Sequence, residues 1–204
     1  MGSNVMLDIV GSMVIGGLLL LVALRMDEKA TQNTFQSQAN LTMQQNLTSL
    51  VENIEYDFRQ IGYCSNPDAY PEVLPFPYKY IIFGDTSAIW FVTDTRNSGR
   101  LDTVKYYMGG PDSLTPNPHD YKFYRQVNNG PAVWSSLGVT QFKLRYLDAI
   151  GDSVSVPFTG QSSTQLVEVN LRVEPVALYG DTTYKNVYAV WRQTKLVSKN
   201  LQNR

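Results

Sequence analysis

One cysteine, Cys64, and one histidine, His119, are all that 204 residues contain of either type. A lone cysteine excludes an intramolecular disulfide and leaves the redox compartment unread. The two residues lie far apart, in Gly-Tyr-Cys-Ser-Asn-Pro and Asn-Pro-His-Asp-Tyr, and neither setting matches a nucleophile motif. The sequence also lacks a phosphate-binding glycine loop, a metal-spaced His or Cys cluster and a G-x-S-x-G elbow. The expectation is therefore no enzyme and no cofactor. Charge is scarce as well: 17% of residues are charged, and 17 basic against 18 acidic side chains leave a net charge of -1. No basic field points to nucleic acid. Polarity comes instead from Ser, Thr, Asn and Gln, beside 12% aromatics with 13 Tyr. Such a surface suits an exported protein or a packed assembly.

Breakers are missing from the first third of the chain. No proline precedes Pro67, and no glycine falls between Gly17 and Gly62. Within this stretch Ile9 to Leu24, IVGSMVIGGLLLLVAL, carries no charge and ends at Arg25, Asp27, Glu28 and Lys29. As a helix it spans about 24 Å, and extension back to Gly2 reaches the ~30 Å of a hydrocarbon core. That extension includes Asp8, which costs roughly 2.5–3.5 kcal/mol near a bilayer centre. Residues 1–8 have no basic residue, unlike the start of a secretory signal. The reading is a membrane-inserted helix. Arg25 and Lys29 are offset by two acids and say little about its orientation.

Residues 26–61 read as the same helix continued. Residues 30–46 are polar and nearly uncharged, with Phe35, Leu41 and Met43 as their sizeable apolar groups. Then Leu47, Leu50, Val51, Ile54, Phe58 and Ile61 recur at three- and four-residue spacing, separated by Glu52, Asn53, Glu55, Asp57 and Arg59. This is an apolar stripe that packs on a sheet. Gly62 supplies a left-handed stop, and Pro67 prevents a restart.

Residues 63–78 hold four prolines and read as a surface connector. Strands are expected at Tyr80–Phe83, Ala88–Thr93, Asp102–Met108, Lys122–Val127, around Phe142, Leu144 and Tyr146, at Val167–Val173, and over Tyr184–Lys195. The stretch from Gly109-Gly110-Pro111 to Pro118 reads as a loop. Asp94, Asn97 and Asp102 offer oxygens of the kind Ca²⁺ prefers, although a polar hairpin turn accounts for them equally. No metal site is expected there.

Three stretches carry a family resemblance: NIEYDFRQIGYCSNP, FVTDTRNSGRLDTVKYYM, and YRQVNNGPAVWSSLGVTQFKLRYLDAIGD followed by QLVEVNLRVEP. In this order they cover most of residues 47–175, and the chain resembles the type IV pilin-like superfamily, specifically the minor pilins and pseudopilins of the PilW/PulJ kind. The resemblance implies a subunit that enters the inner membrane helix-first, is extracted, and packs its apolar helix into a filament core with the β domain outside. Family members usually begin with a basic leader cut before a Phe, with Glu at the fifth mature position. This chain shows neither the leader nor the Phe, and Asp8 stands nearest to the acid's place, fifth only for a start after Ser3. The resemblance implies that Asp8 pairs with the α-amino group of a neighbouring subunit. Ser12 and Gly16, small residues on the adjoining face, let helices approach.

The expected architecture is α+β and pilin-like: a long N-terminal helix, transmembrane then amphipathic, packed on an antiparallel β-sheet domain. The segments are 1–25 (transmembrane or filament-core helix), 26–62 (its amphipathic continuation), 63–78 (connector), 79–197 (β domain) and 198–204 (polar tail). The expected function is a structural subunit of a type IV pilus or type II secretion pseudopilus, with other pilin or pseudopilin subunits as partners. The rival is a membrane-anchored extracytoplasmic module that binds a glycan or protein without polymerising. Both place the β domain outside the cytoplasm.

Overall fold

With no interior breaker after Gly17, α1 (Gly2–Arg59) runs as one helix of 58 residues in the computed structural model. The structure describes residues 2–66, 68, 80–135, 137–160, 163–175 and 188–196. Most of the connector, the start of the last expected strand at Tyr184 and the polar tail lie outside the described residues. The chain forms two compact units, Met1–Leu41 and Thr42–Arg204.

The first unit is helix alone. Its apolar side chains from Val5 to Leu24 are all exposed, between 54% and 77%. It belongs to the one described helix that is long and apolar enough to cross a membrane.

The second unit begins with the docked end of α1. Among its described residues are nine strands: β1 (Ile81–Gly84), β2 (Ala88–Thr93), β3 (Asp102–Pro111), β4 (Tyr121–Val127), β5 (Val133–Ser135), β6 (Val139–Leu147), β7 (Phe158–Thr159), β8 (Leu166–Val173) and β9 (Ala189–Leu196). They form two sheets, ordered β5-β4-β3-β2-β1-β7 and β6-β8-β9, and every pairing is antiparallel. The molecule is thus α+β, with one long N-terminal apolar helix and antiparallel sheets. The Tyr146 hydroxyl on β6 joins the sheets by donating to the carbonyls of Asp85 and Ala88, at 3.1 and 3.0 Å.

The helical stripe is packed as its spacing requires. Leu50, Ile54, Phe58 and Ile61 are buried, and Leu47 and Val51 pack at the margin of the same core. The Phe58 ring meets Phe91 and Tyr106 edge-on, with centroids 5.5 and 5.7 Å apart. Each fully buried ring or branched chain contributes about 1.5–3 kcal/mol, with roughly 0.5–1.5 kcal/mol more for an edge-to-face ring pair. Val167, Val169, Leu171 and Val173 line the inner face of β8 and are fully buried. Gly62 stops the helix at φ +74°, and a Cβ there would lie 2.6 Å from the Tyr80 ring.

Four expectations need correction. Met43, read with the polar first half, is buried and opens the docked stripe. Asp57, read as part of the polar side, is buried too. The presumed loop at Gly109-Gly110-Pro111 instead continues β3, with a register shift between Met108 and Pro111. Glycine is required in this strand because a Cβ at Gly109 would sit 2.4 Å from Tyr124 Cε2. The short strands β5 and β7 were not anticipated, because two or three residues carry no readable alternation.

Candidate functional site

Asp8, Ser12 and Gly16 follow at four-residue spacing, which on a helix places them along one side. All three lie in α1, and Ser12 Oγ donates to the main-chain carbonyl of Asp8 at 2.6 Å. That bond occupies the Ser12 hydroxyl locally and leaves the Asp8 carboxylate to other groups. A Cβ at Gly16 would meet nothing within 4 Å. The row therefore offers a narrow strip of low relief on an apolar cylinder, with one carboxylate near its start.

A second constellation lies in the β-domain unit. The docked turn of α1 places Asp57 one turn after Ile54 and one before Ile61, hence toward the sheet. Asp57 Oδ2 accepts from the Tyr106 hydroxyl at 2.6 Å and from Arg125 Nε at 2.7 Å, while Arg125 Nε lies 3.2 Å from the Tyr106 oxygen. Helix, β3 and β4 are thereby joined at one oxygen. Burial raises the Tyr106 phenol, and the charge and hydrogen bond of Asp57 raise it further. Burial alone would lower the Arg125 guanidinium, but the Asp57 hydrogen bond and the neighbouring charges raise it above its ordinary value. A cavity of about 420 Å³ opens beside this cluster, lined by Leu50, Ile54, Tyr106, Arg125, Trp134 and Ser135 among others.

The hairpin between β2 and β3 accounts for the weak cation candidates. Asp94 is buried and accepts from Ser65 Oγ (2.6 Å), Ser98 N–H (2.9 Å) and Gly99 N–H (2.7 Å). Burial pushes its carboxyl up, but the hydrogen bonds from Ser65, Ser98 and Gly99 outweigh that and hold it well below the carboxylate range. Asp102 is likewise lowered by Thr95, Asn128 and Arg96 against the effect of burial. Asn97 adopts φ 52°, the left-handed conformation of a tight turn. The carboxylates of both aspartates are engaged by protein donors that shape a turn. No group of three or more His, Cys, Asp or Glu side chains arranged to hold a metal occurs among the described residues.

Cys64 is buried, and its Sγ donates to the Asn66 carbonyl at 3.0 Å. His119 sits on the β3–β4 loop with a largely exposed side chain, its Nδ1 3.9 Å from Glu174 Oε2. The Asp57–Tyr106–Arg125 cluster was not anticipated. Its signal was positional, since Asp57 shares the face of Ile54 and Ile61, and a buried acid on that face requires a donor from the sheet.

An α+β protein with one helix able to cross a membrane is the class that these features define. No protein-family model, no curated protein and no solved structure matches the chain.

Proposed function

We propose that this chain is a non-enzymatic, membrane-inserted subunit of a type IV pilus or type II secretion pseudopilus, a minor subunit that assembles through its N-terminal helix. The observation that carries the reading is the apolar surface of α1 from Val5 to Leu24, which is exposed all round. Such a surface is stable only in lipid or among other helices, and a filament core supplies the second once the first is left. Its partners are then other pilin or pseudopilin subunits and, before assembly, the inner membrane. The β domain lies on the extracytoplasmic side.

Asp8 gives the test. In a water-poor helix bundle, a carboxylate paired with a neighbour's α-amino group fixes register, because a slipped subunit leaves both charges unpaired. Asp8→Ala and Asp8→Asn should insert at wild-type levels in membranes yet fail to crosslink into assemblies. Wild-type crosslinking by Asp8→Ala would remove this role.

One observation favours the rival reading of an anchored binding module: the cavity beside Arg125 and Trp134. Retention of an oligosaccharide or peptide by full-length protein that never crosslinks to itself would favour that module over a polymer.

A further inference from the structure

Five aspartates of the β-domain unit, Asp57, Asp94, Asp102, Asp112 and Asp120, are each less than 5% exposed. The carboxylates of the first three accept hydrogen bonds from protein donors. The other two differ. Asp112 Oδ1 accepts from the Leu114 N–H at 3.1 Å. Asp112 Oδ2 and both oxygens of Asp120 are buried without a hydrogen bond. The Thr115 hydroxyl lies close enough to Asp120 to favour its charged form, while its hydrogen bonds run to the main-chain carbonyls of Asp112 and Asn117, at 3.3 and 3.4 Å.

These two residues close the loop between β3 and β4. The Asp112 N–H donates to the Asp120 carbonyl at 2.7 Å, and the Asp120 N–H to the Asn117 carbonyl at 3.1 Å. Glu174 stands next to Asp120 and adds negative charge. Its own oxygens are engaged, Oε1 by Arg172 at 2.9 Å and Oε2 by Asn117 Nδ2 at 3.2 Å. Two buried carboxylates with three unsatisfied oxygens, and Glu174 alongside, outnumber the positive groups nearby, which are Arg172, held by Glu174, and His119 next to Asp120.

A zinc-type site built wholly from side chains does not fit, because no three candidate ligands converge among the described residues. Calcium suits the arrangement better, since it accepts carboxylates, main-chain carbonyls and water in one flexible shell of about six to eight oxygens. Magnesium demands a tighter octahedron and gives up its water reluctantly. We propose that the loop from Asp112 to Asp120 binds one Ca²⁺, with Asp112 Oδ2 and the Asp120 carboxylate as its charged ligands. Loop carbonyls and water complete the shell. The site is separate from the assembly helix and stands whichever functional reading holds.

The test uses the full-length chain in detergent, stripped with EDTA and titrated with Ca²⁺ by calorimetry, with thermal unfolding followed in parallel. One Ca²⁺ should bind per chain and raise the unfolding temperature. Asp112→Asn and Asp120→Asn should each weaken Ca²⁺ binding at least about tenfold, by removing ligand charge. In EDTA, Asp120→Asn should melt at or above wild type, because the amide relieves an unpaired buried charge. Absence of binding at about 1 mM Ca²⁺, the weak end for oxygen-ligand sites, would overturn the proposal. So would undiminished binding by both variants. A lower melting temperature of Asp120→Asn in EDTA would do so too, since the carboxylate or its proton would then serve the fold by itself.

Discussion

The two stretches of α1 are continuous in backbone and opposite in surface. From Val5 to Leu24 every large apolar side chain faces outward, whereas from Met43 onward Leu50, Ile54 and Phe58 are buried against strands of their own chain. Secondary structure does not separate them; the distribution of apolar residues around the axis does. An all-round apolar surface cannot be satisfied by one neighbouring face, while a stripe can. The first stretch therefore depends on surroundings and the second carries its partner with it.

Truncating one large side chain in each stretch should expose this difference most strongly. Phe58→Ala should cost about 3–5 kcal/mol of β-domain stability, the range for a buried ring, in denaturant unfolding of the detergent-solubilised protein. Leu19→Ala should change the same transition by less than about 0.5 kcal/mol. Similar losses at both sites would erase the distinction.

A smaller effect is expected at the polar contact of the docked stretch. Asp57→Ala leaves the Tyr106 hydroxyl buried without its acceptor, at a cost of about 1–3 kcal/mol. Arg125 remains partly solvated, which keeps the loss at the low end. A cycle with Tyr106→Phe should show coupling, whereas additive losses would mean that the bond contributes nothing of its own.

Acid should separate the stretches more gently. The Asp94 and Asp102 carboxyls lie below their unfolded values of about 3.9. Their stabilisation is then complete above that value and is lost as pH falls through the folded values. Below about pH 4 the β domain should lose stability, while the helicity of Val5–Leu24 in detergent persists. Asp94→Asn should flatten this acid dependence, measured as unfolding midpoint against pH. An unchanged slope would place the acid sensitivity elsewhere.

Much of this contrast was readable in the residues. The charge-free run, the three- and four-residue stripe, the stop at Gly62 and the alternation of Val167, Val169, Leu171 and Val173 each express one physical rule at adjacent positions. What escaped depends on residues distant in sequence. Asp57 is polar by type, and its burial follows from Arg125 and Tyr106, which arrive from two strands. Gly109 looked like a turn residue because the Tyr124 ring that excludes a side chain there comes from the neighbouring strand. The division into two sheets is a matter of pairing partners, which alternation along one strand does not specify. The stretch up to Pro118 reads in sequence only as a loop, since only burial distinguishes an unsatisfied carboxylate such as that of Asp112 from a hydrated one.

The exit of α1 has a consequence for how the β domain opens. The Gly62 N–H donates to the Val92 carbonyl and the Asp94 N–H to the Tyr63 carbonyl, each at 2.8 Å. The chain just past the helix is thus tied by its main chain to the end of β2. Fraying, the usual fate of a terminal helical turn, here requires breaking bonds to a core strand. The amides of Phe58 to Tyr63 should therefore exchange with solvent together with those of β2, as one cooperative unit, and a protease should find no separate entry at this junction.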